Sequence, residues 1–323
     1  VDAERCASLA IEYCEDYFPV SYYILGEAAF KRKDYVGASY YLNKSIELDI
    51  SDPYYSDAIS LYEKSKVISD IISNPVPFKP EIVQGLSTEF DEYLPVISPD
   101  QEISFFTRRS LKTGFGSFVN TTVEEFVSSV KHGGQFEVGS ALPYPFNLVS
   151  NEGGASITID NRILYYTKCT QQQGKGYNNC DIYYVNKQGS EWSEVMTFNS
   201  EISQSFSWES QPTISPDGST LIFASDREGG FGKIDLYEIT KNEKGKWSSP
   251  KNLGSQINSN EHEKSPFLHT DGVTLFFAST NFPSVGGFDI FFSRKDSLGN
   301  WGKPKNIGYP INTFADEVSL FVS

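Results

Sequence analysis

Two stretches of this chain, ESQPTISPDGSTLIFASDR at residues 209–227 and EKSPFLHTDGVTLFFAST at residues 263–280, are versions of a single pattern. In each stretch an Asp-Gly pair begins eight residues after the first glutamate and leads into an apolar run. The pattern surrounds five glutamates, at steps of 60, 57, 54 and 54 residues: Glu92, Glu152, Glu209, Glu263 and Glu317. A period of this size indicates a repeat architecture.

Each repeat predicts four short antiparallel strands. The Asp-Gly and Asp-Asn pairs favour a tight hairpin between the first and second strands. In three copies the third strand begins at an aspartate and the fourth carries a tryptophan: Asp181, Asp235, Asp289, Trp192, Trp247 and Trp301. Four such strands in about 54–60 residues are typical of one blade of a β-propeller.

Residues 1–73 have a different pattern, which predicts helices, and residues 74–80 form a proline-rich linker. The helical part resembles tetratricopeptide repeats, because small residues stand where two helices of such a repeat approach closely. These small residues are Gly26, Ala29, Ala38 and Ser45. A small helical bundle without repeats is the alternative.

The predicted fold class is therefore α + all-β, with N-terminal tetratricopeptide-type helical repeats followed by a β-propeller over residues 78–323. This region holds four complete blades and the start of a fifth at Glu317. Residues 78–83 are interpreted as an outer strand that awaits a last blade. We therefore expect the native chain to continue and to form five blades, with six as the alternative.

The cysteines predict one disulfide. Cys169 and Cys180 are eleven residues apart, between two aromatic strand runs, so they face each other at the open end of a hairpin. A disulfide there indicates an oxidising compartment, and two free thiols are the alternative. Cys6 and Cys14 lie in a predicted helix and are interpreted as buried residues.

Composition excludes several classes of function. The net charge of −15 argues against nucleic acid as a partner, because phosphate binding needs clustered lysine and arginine. It also disfavours anionic membrane surfaces, and no apolar run has the length of a membrane-spanning helix.

The repeated acidic residues are not predicted to form an active site. An active site does not need five symmetric copies, so the glutamates and the strand aspartates are interpreted as structural. The three histidines have no metal-ligand spacing, and no serine elbow or phosphate loop is present. We expect no catalytic residue, no metal, no cofactor and no enzymatic activity.

Residues 209–237 resemble the WD-like repeat of TolB-type periplasmic propellers. With the helical part, the chain resembles outer-membrane proteins of Bacteroidota that bind peptidoglycan through an OmpA-like domain. These include PorE-like and SprD-like components of type IX secretion and gliding motility. The resemblance implies a non-enzymatic scaffold of a periplasmic, outer-membrane-associated assembly, which contacts peptidoglycan only through a domain outside this chain. A glycan-binding propeller and the propeller module of a periplasmic hydrolase are the alternatives.

The expected partners are other proteins of that assembly. Candidate partner-binding residues are four tyrosines of the helical part and two phenylalanines of an insertion in the first blade. They are Tyr22, Tyr23, Tyr54, Tyr55, Phe115 and Phe118.

Overall fold

The computed structural model describes residues 2–113, 120–148, 151–171, 178–281 and 283–322. The chain divides into two compact units. The first, the helical unit, comprises residues 1–79 together with 283–285 and 308–313. The second, the sheet unit, comprises residues 80–282, 286–307 and 314–323.

The helical unit contains four helices within its described residues: α1 (Asp2–Tyr13), α2 (Pro19–Lys31), α3 (Tyr35–Glu47) and α4 (Tyr55–Ser73). Asp34 caps α3 by accepting the backbone N–H of Gly37. Ala29, Ala38 and Leu42 belong to the apolar core between these helices. A Cβ atom added to Gly26 would lie 2.6 Å from Cγ of Leu42, so α2 and α3 pack in close contact.

The prediction of tetratricopeptide repeats is wrong. The chain is dominated by sheets, and its described helices are few and unequal, with 12, 13, 13 and 19 residues. The small residues that suggested the repeat serve one close contact, in which Gly26 and Ala38 admit the side chains of the facing helix. Close packing of one helical hairpin needs small residues whether or not the hairpin repeats.

The strands of the sheet unit fall into four consecutive groups, each beginning at or next to a repeated glutamate. They are β1 (Asp91–Ile97), β2 (Ile103–Thr113), β3 (Asn120–His132), β4 (Gln135–Phe136), β5 (Ser140–Ala141), β6 (Asn151–Ile157), β7 (Ile163–Gln171), β8 (Asn178–Gln188), β9 (Glu191–Trp192), β10 (Met196–Thr197), β11 (Glu209–Ile214), β12 (Thr220–Ser225), β13 (Asp235–Thr240), β14 (Lys251–Asn252), β15 (Glu263–Leu268), β16 (Thr274–Ser279), β17 (Asp289–Arg294) and β18 (Lys305–Asn306).

Each group is an antiparallel meander. The third sheet has the order β11-β12-β13-β14 and the fourth the order β15-β16-β17-β18. The first two meanders are joined by one parallel pair, Glu124 with Asn151. Apolar cores lie between neighbouring sheets: Tyr165 and Ile182 of the second, for example, pack with Leu221 and Phe223 of the third.

The first strand of every sheet carries a bulge at the same repeat position. Two residues after the glutamate the backbone is left-handed, with φ between 51° and 58°, and the pairing register shifts. These residues are Leu94, Gly154, Gln211 and Ser265. Because this conformation is strained in residues other than glycine, surrounding contacts must hold it.

Those contacts come from neighbouring positions around a channel. The bulge N–H of Gly154 donates to Oγ1 of Thr107 at 3.1 Å, and that of Gln211 donates to Oγ1 of Thr167 at 2.9 Å. The N–H of Ser265 donates to Oε1 of Gln211 at 2.8 Å. Each bulge therefore ties its sheet to the preceding one.

Residues 317–322 lie between the first and fourth sheets. Leu94 of the first sheet donates its backbone N–H to Oγ of Ser319 at 3.1 Å. Phe321 packs against Phe267 of the fourth sheet, with ring centroids 5.2 Å apart. The segment thus takes a fifth position around the channel. The outer strand expected at residues 78–83 is absent from the described structure of that segment, which has no strand pairing.

Candidate binding site at the mouth of the central channel

The first strands of the four sheets surround a channel with three parts. An apolar end of about 460 Å³ is lined by Ile97, Ile157, Ile214 and Leu268 among others. A waist of about 40 Å³ lies at the bulges. A more polar space of about 320 Å³, which we call the mouth, lies at the glutamate end of the strands.

Four of the five repeated glutamates accept backbone N–H groups of the loop that precedes their strand, Glu209 among them. Glu152 accepts the backbone N–H groups of Asn147 and Leu148, at 2.8 and 2.9 Å. Glu263 accepts the backbone N–H of Ser259 at 2.8 Å, and Glu92 that of Thr88 at 3.2 Å. In Glu317 the backbone N–H donates to the carbonyl of Phe288 at 2.8 Å.

Glu209 is the glutamate with a buried arginine beside it. It accepts the backbone N–H of Gln204 at 3.0 Å and the hydroxyl of Ser225 at 3.0 Å. Arg227 lies with Nη2 3.2 Å from Oε1 of Glu209. Burial raises the pKa of Glu209 to about 7, against the opposing effect of the hydrogen bonds and of Arg227.

Two of the strand aspartates bind a glycine-rich loop and an asparagine. Asp235 accepts the N–H of Phe231 and the amide of Asn252, at 2.5 and 2.7 Å. Asp289 accepts the amide of Asn306 at 2.7 Å. Asp181 differs, because its Oδ1 is buried and makes no hydrogen bond with the described part of the chain, and burial raises the pKa of its carboxyl.

The repeated tryptophans each pack beside a lysine at the outer part of their sheet. The lysine Nζ lies 5.8 Å from the ring centroid of Trp192, 4.6 Å from that of Trp247 and 4.7 Å from that of Trp301. These lysines are Lys187, Lys241 and Lys295. Such cation–π contacts stabilise a sheet without any ligand.

Cys169 and Cys180 are bonded as a disulfide across paired positions of β7 and β8 and line the mouth. Cys6 and Cys14 are exposed, so the prediction that they are buried is wrong. Only Ala7 is fully buried among the residues of α1, so Cys6 lies on its solvent-facing side, and Cys14 directly follows the helix.

The candidate partner-binding aromatics have different surroundings. Tyr22 and Tyr23 are buried in the helical core, so the prediction that they contact a partner is wrong. Tyr54 and Tyr55 are exposed, and the ring of Tyr54 packs 5.1 Å from that of Tyr23. Phe115 and Phe118 lie outside the described residues.

Sequence reasoning missed two residues of the mouth, Trp208 and Lys264. Trp208 is the single tryptophan that does not stand at the repeated position, which is a signal that the sequence contained. Lys264 follows Glu263 directly, where the other copies have no lysine. Among the described residues, no group of three or more His, Cys, Asp or Glu side chains could hold a metal ion.

No family model matches this chain, and no curated protein matches it. Solved structures of similar fold include TolB from Acinetobacter baumannii, with 17% identity, a TM-score of 0.42, and coverage of 69% of this chain and 45% of that chain. They include a puromycin-hydrolyzing peptidase from Mycobacterium tuberculosis, with 12% identity, a TM-score of 0.42, and coverage of 75% and 35%. They also include an alpha-L-arabinofuranosidase from Lactobacillus brevis, with 13% identity, a TM-score of 0.40, and coverage of 66% and 72%.

The sheet topology and the channel define the sheet unit as a β-propeller module, and TolB is among the structures that it is similar to. The chain spans less than half the length of TolB and of the peptidase. Because proteins of similar fold include enzymes, the prediction that this chain is not an enzyme is wrong in excluding catalysis. Fold and symmetry of the repeated carboxylates do not decide that question.

Proposed function

We propose that this chain is a scaffold module of a periplasmic assembly associated with the outer membrane, and that it binds other proteins. The observation that carries the proposal is an apolar surface on the helical unit. Tyr13 is 87% exposed and Tyr17 is 73% exposed, and Leu9 and Phe18 are exposed beside them in the sequence. Leu9 and Tyr13 are four residues apart and share one face of α1.

Exposed apolar surface on this scale is characteristic of interaction sites, because leaving large side chains in water is unfavourable. The Cys169–Cys180 disulfide supports an oxidising compartment such as the periplasm. Within the described residues, no helix is long and apolar enough to cross a membrane. Association with the outer membrane, the setting of type IX secretion or gliding, and a link to peptidoglycan through another domain rest on the sequence resemblance.

The test compares proteins that co-purify from native membranes with the wild-type protein and with a Tyr13→Ser, Tyr17→Ser double variant. We expect the double variant to lose specific partners while its circular dichroism stays unchanged. Leu298→Ser is the matched control, because Leu298 is an equally exposed apolar residue of the sheet unit, at 84%. An identical set of partners for all three proteins would contradict the proposal. A Tyr54→Ser, Tyr55→Ser variant tests the second exposed pair.

A further inference from the structure

At the mouth of the channel, the copies of the repeat differ in sequence. Five residues after each glutamate the chain has an aliphatic residue in all copies: Ile97, Ile157, Ile214, Leu268 and Val322. Directly after each glutamate the copies differ completely: Tyr93, Gly153, Ser210, Lys264 and Val318. All five of these divergent residues line the mouth. Positions that the fold does not constrain, gathered on one face of a repeat array, are typical of a binding face.

Three residues that line the mouth carry side-chain hydrogen-bond donors for which the described residues supply no acceptor. Nζ of Lys264 makes no hydrogen bond or ion pair with the described residues and lies 3.8 Å from the ring centroid of Phe288. Nε1 of Trp208 makes no hydrogen bond with them either. Oε1 of Gln211 accepts the N–H of Ser265, which leaves the two amide hydrogens of Gln211 available.

The carboxylates near the mouth are already occupied. Glu124 accepts the hydroxyl of Tyr93 at 2.5 Å. Glu152 accepts two backbone N–H groups, and Asp316 accepts the N–H of Phe288 at 2.9 Å. The mouth therefore has unused donors and few unused acceptors, which favours a ligand that brings acceptor oxygens to these donors, with its negative charge at Lys264.

The positions of the donors suggest how such a ligand would lie. Gln211 accepts the N–H of Ser265, the residue next to Lys264 in the sequence, and both Gln211 and Lys264 line the mouth. Trp208 lies three residues before Gln211 in the sequence. Its side chain packs against the core between the third and fourth sheets. An indole anchored in this way offers a flat surface for a ring.

We propose that the mouth binds a small organic acid whose carboxylate is carried on a ring. The carboxylate pairs with Lys264 and accepts from Gln211, while the ring lies against Trp208. A space of about 320 Å³ is within the range of small-ligand sites. Burial lowers the pKa of Lys264 against the opposing attraction of Asp316, and a bound anion adds to that attraction. Acidic sugars and aromatic acids share this chemistry.

The test is a titration followed by tryptophan fluorescence and calorimetry with two acids, D-glucuronate and benzoate. D-glucose and benzamide are their neutral counterparts. We expect saturable binding of at least one acid, weaker binding of its neutral counterpart, and loss of the fluorescence change in Trp208→Phe. Tighter binding of glucuronate indicates an acidic sugar as the ligand, and tighter binding of benzoate indicates an aromatic acid.

Lys264→Gln should weaken binding of the acid at least about tenfold, whereas Lys264→Arg should largely retain it. Lys241→Gln is the matched control, since Lys241 is likewise a lysine over an aromatic ring, Trp247, with its pKa lowered by burial, but it lies away from the mouth. Val318→Trp removes no donor but fills the mouth, and it should also abolish binding. Absence of saturable binding of both acids, or an affinity in Lys264→Gln and in Val318→Trp equal to that of the wild type, would overturn the proposal.

Discussion

Nη2 of Arg227 lies 3.2 Å from Oε1 of Glu209, and both side chains are buried in the third sheet. The guanidinium also donates to the carbonyls of Glu201 and Ile202, at 3.2 and 2.8 Å, so it joins the strand to the loop before it. The equivalent position in the fourth sheet is Asn281. The fourth sheet therefore lacks this arginine, whereas in the first sheet Arg108 pairs with Glu92 from a different repeat position, with Nε 2.9 Å from Oε1.

Replacing this arginine should destabilise the protein strongly. Arg227→Met leaves a buried carboxyl and two carbonyls without their donor, which we expect to lower the free energy of unfolding by about 3–5 kcal/mol. Urea unfolding followed by circular dichroism measures the change. Arg162→Met is the control, because Arg162 is 79% exposed and its ion pair with Asp160 contributes little. Equal stability of the two variants would argue against the role assigned to Arg227.

Two glutamates at the same repeat position should respond to pH in opposite directions. The folded-state pKa of Glu209 is raised from 4.5 to about 7, so its stabilising contribution is present below pH 4.5 and is lost as pH rises through 7. At Glu92 burial also acts to raise the pKa, but hydrogen bonds from Thr88 and Arg108 outweigh it and lower the pKa. The contribution of Glu92 is therefore present above pH 4.5 and lost as pH falls below it.

The measurement is the free energy of unfolding between pH 4 and pH 8 for the wild type, Glu209→Gln and Glu92→Gln. Relative to Glu209→Gln, the wild type should lose about 3 kcal/mol as pH rises from 4.5 to 8. Relative to Glu92→Gln, it should show no such loss over this interval and should lose stability as pH falls below 4.5. Parallel pH profiles for the two variants would show that burial does not distinguish these glutamates.

The hydroxyl of Thr167 should be needed to hold the bulge of the third sheet. Its Oγ1 accepts the N–H of Gln211 at 2.9 Å and bonds Oγ of Ser210 at 3.1 Å. Thr167→Val keeps the shape but removes the acceptor, which should cost about 1–3 kcal/mol of unfolding free energy. Thr122→Val, at an exposed position of β3, should be close to neutral. A neutral Thr167→Val would mean that water or a shifted backbone satisfies the N–H.

The disulfide should stabilise the hairpin of the second sheet. The chain between the cysteines is short, so replacing both Cys169 and Cys180 by serine should cost about 2–3 kcal/mol in the chain-entropy model. Thermal unfolding of both proteins, with and without reductant, measures the effect. A Cys6→Ser, Cys14→Ser variant should match the wild type, because both residues are exposed. If reductant lowers the unfolding temperature of the Cys169→Ser, Cys180→Ser variant as much as that of the wild type, the assignment fails.

Gly26 should be required for the close contact of α2 and α3. The added methyl of Gly26→Ala would meet Leu42, and overpacking of this kind costs about 1–3 kcal/mol. Leu42→Ala alone should also destabilise, by leaving a cavity. In the double variant the two losses should be less than additive, because the smaller residue 42 makes room for the new methyl. Strict additivity would show that α2 and α3 do not meet at this point.

Local chemistry accounts for the features that the sequence determined alone. The predicted third-strand starts at Asp235 and Asp289 coincide with the first residues of β13 and β17. Asp-Gly turns and alternation act within a few residues, so their effect can be interpreted without knowing the rest of the fold. The period of the glutamates likewise indicated a chain of similar sheets before any contact was known.

Tertiary structure decided what depends on distant neighbours. The left-handed backbone at Gln211 is held by Thr167, 44 residues away in the sequence. The residues around Gln211 do not predict that hydrogen bond. Tyr22 became buried and Cys6 exposed because only one face of each helix meets the core. Trp208 and Lys264 are separated by more than one repeat, and they share the mouth because the sheets are arranged around a channel. Sequence spacing determines strands and turns, whereas burial, charge pairing and the composition of a site follow from which sheets become neighbours.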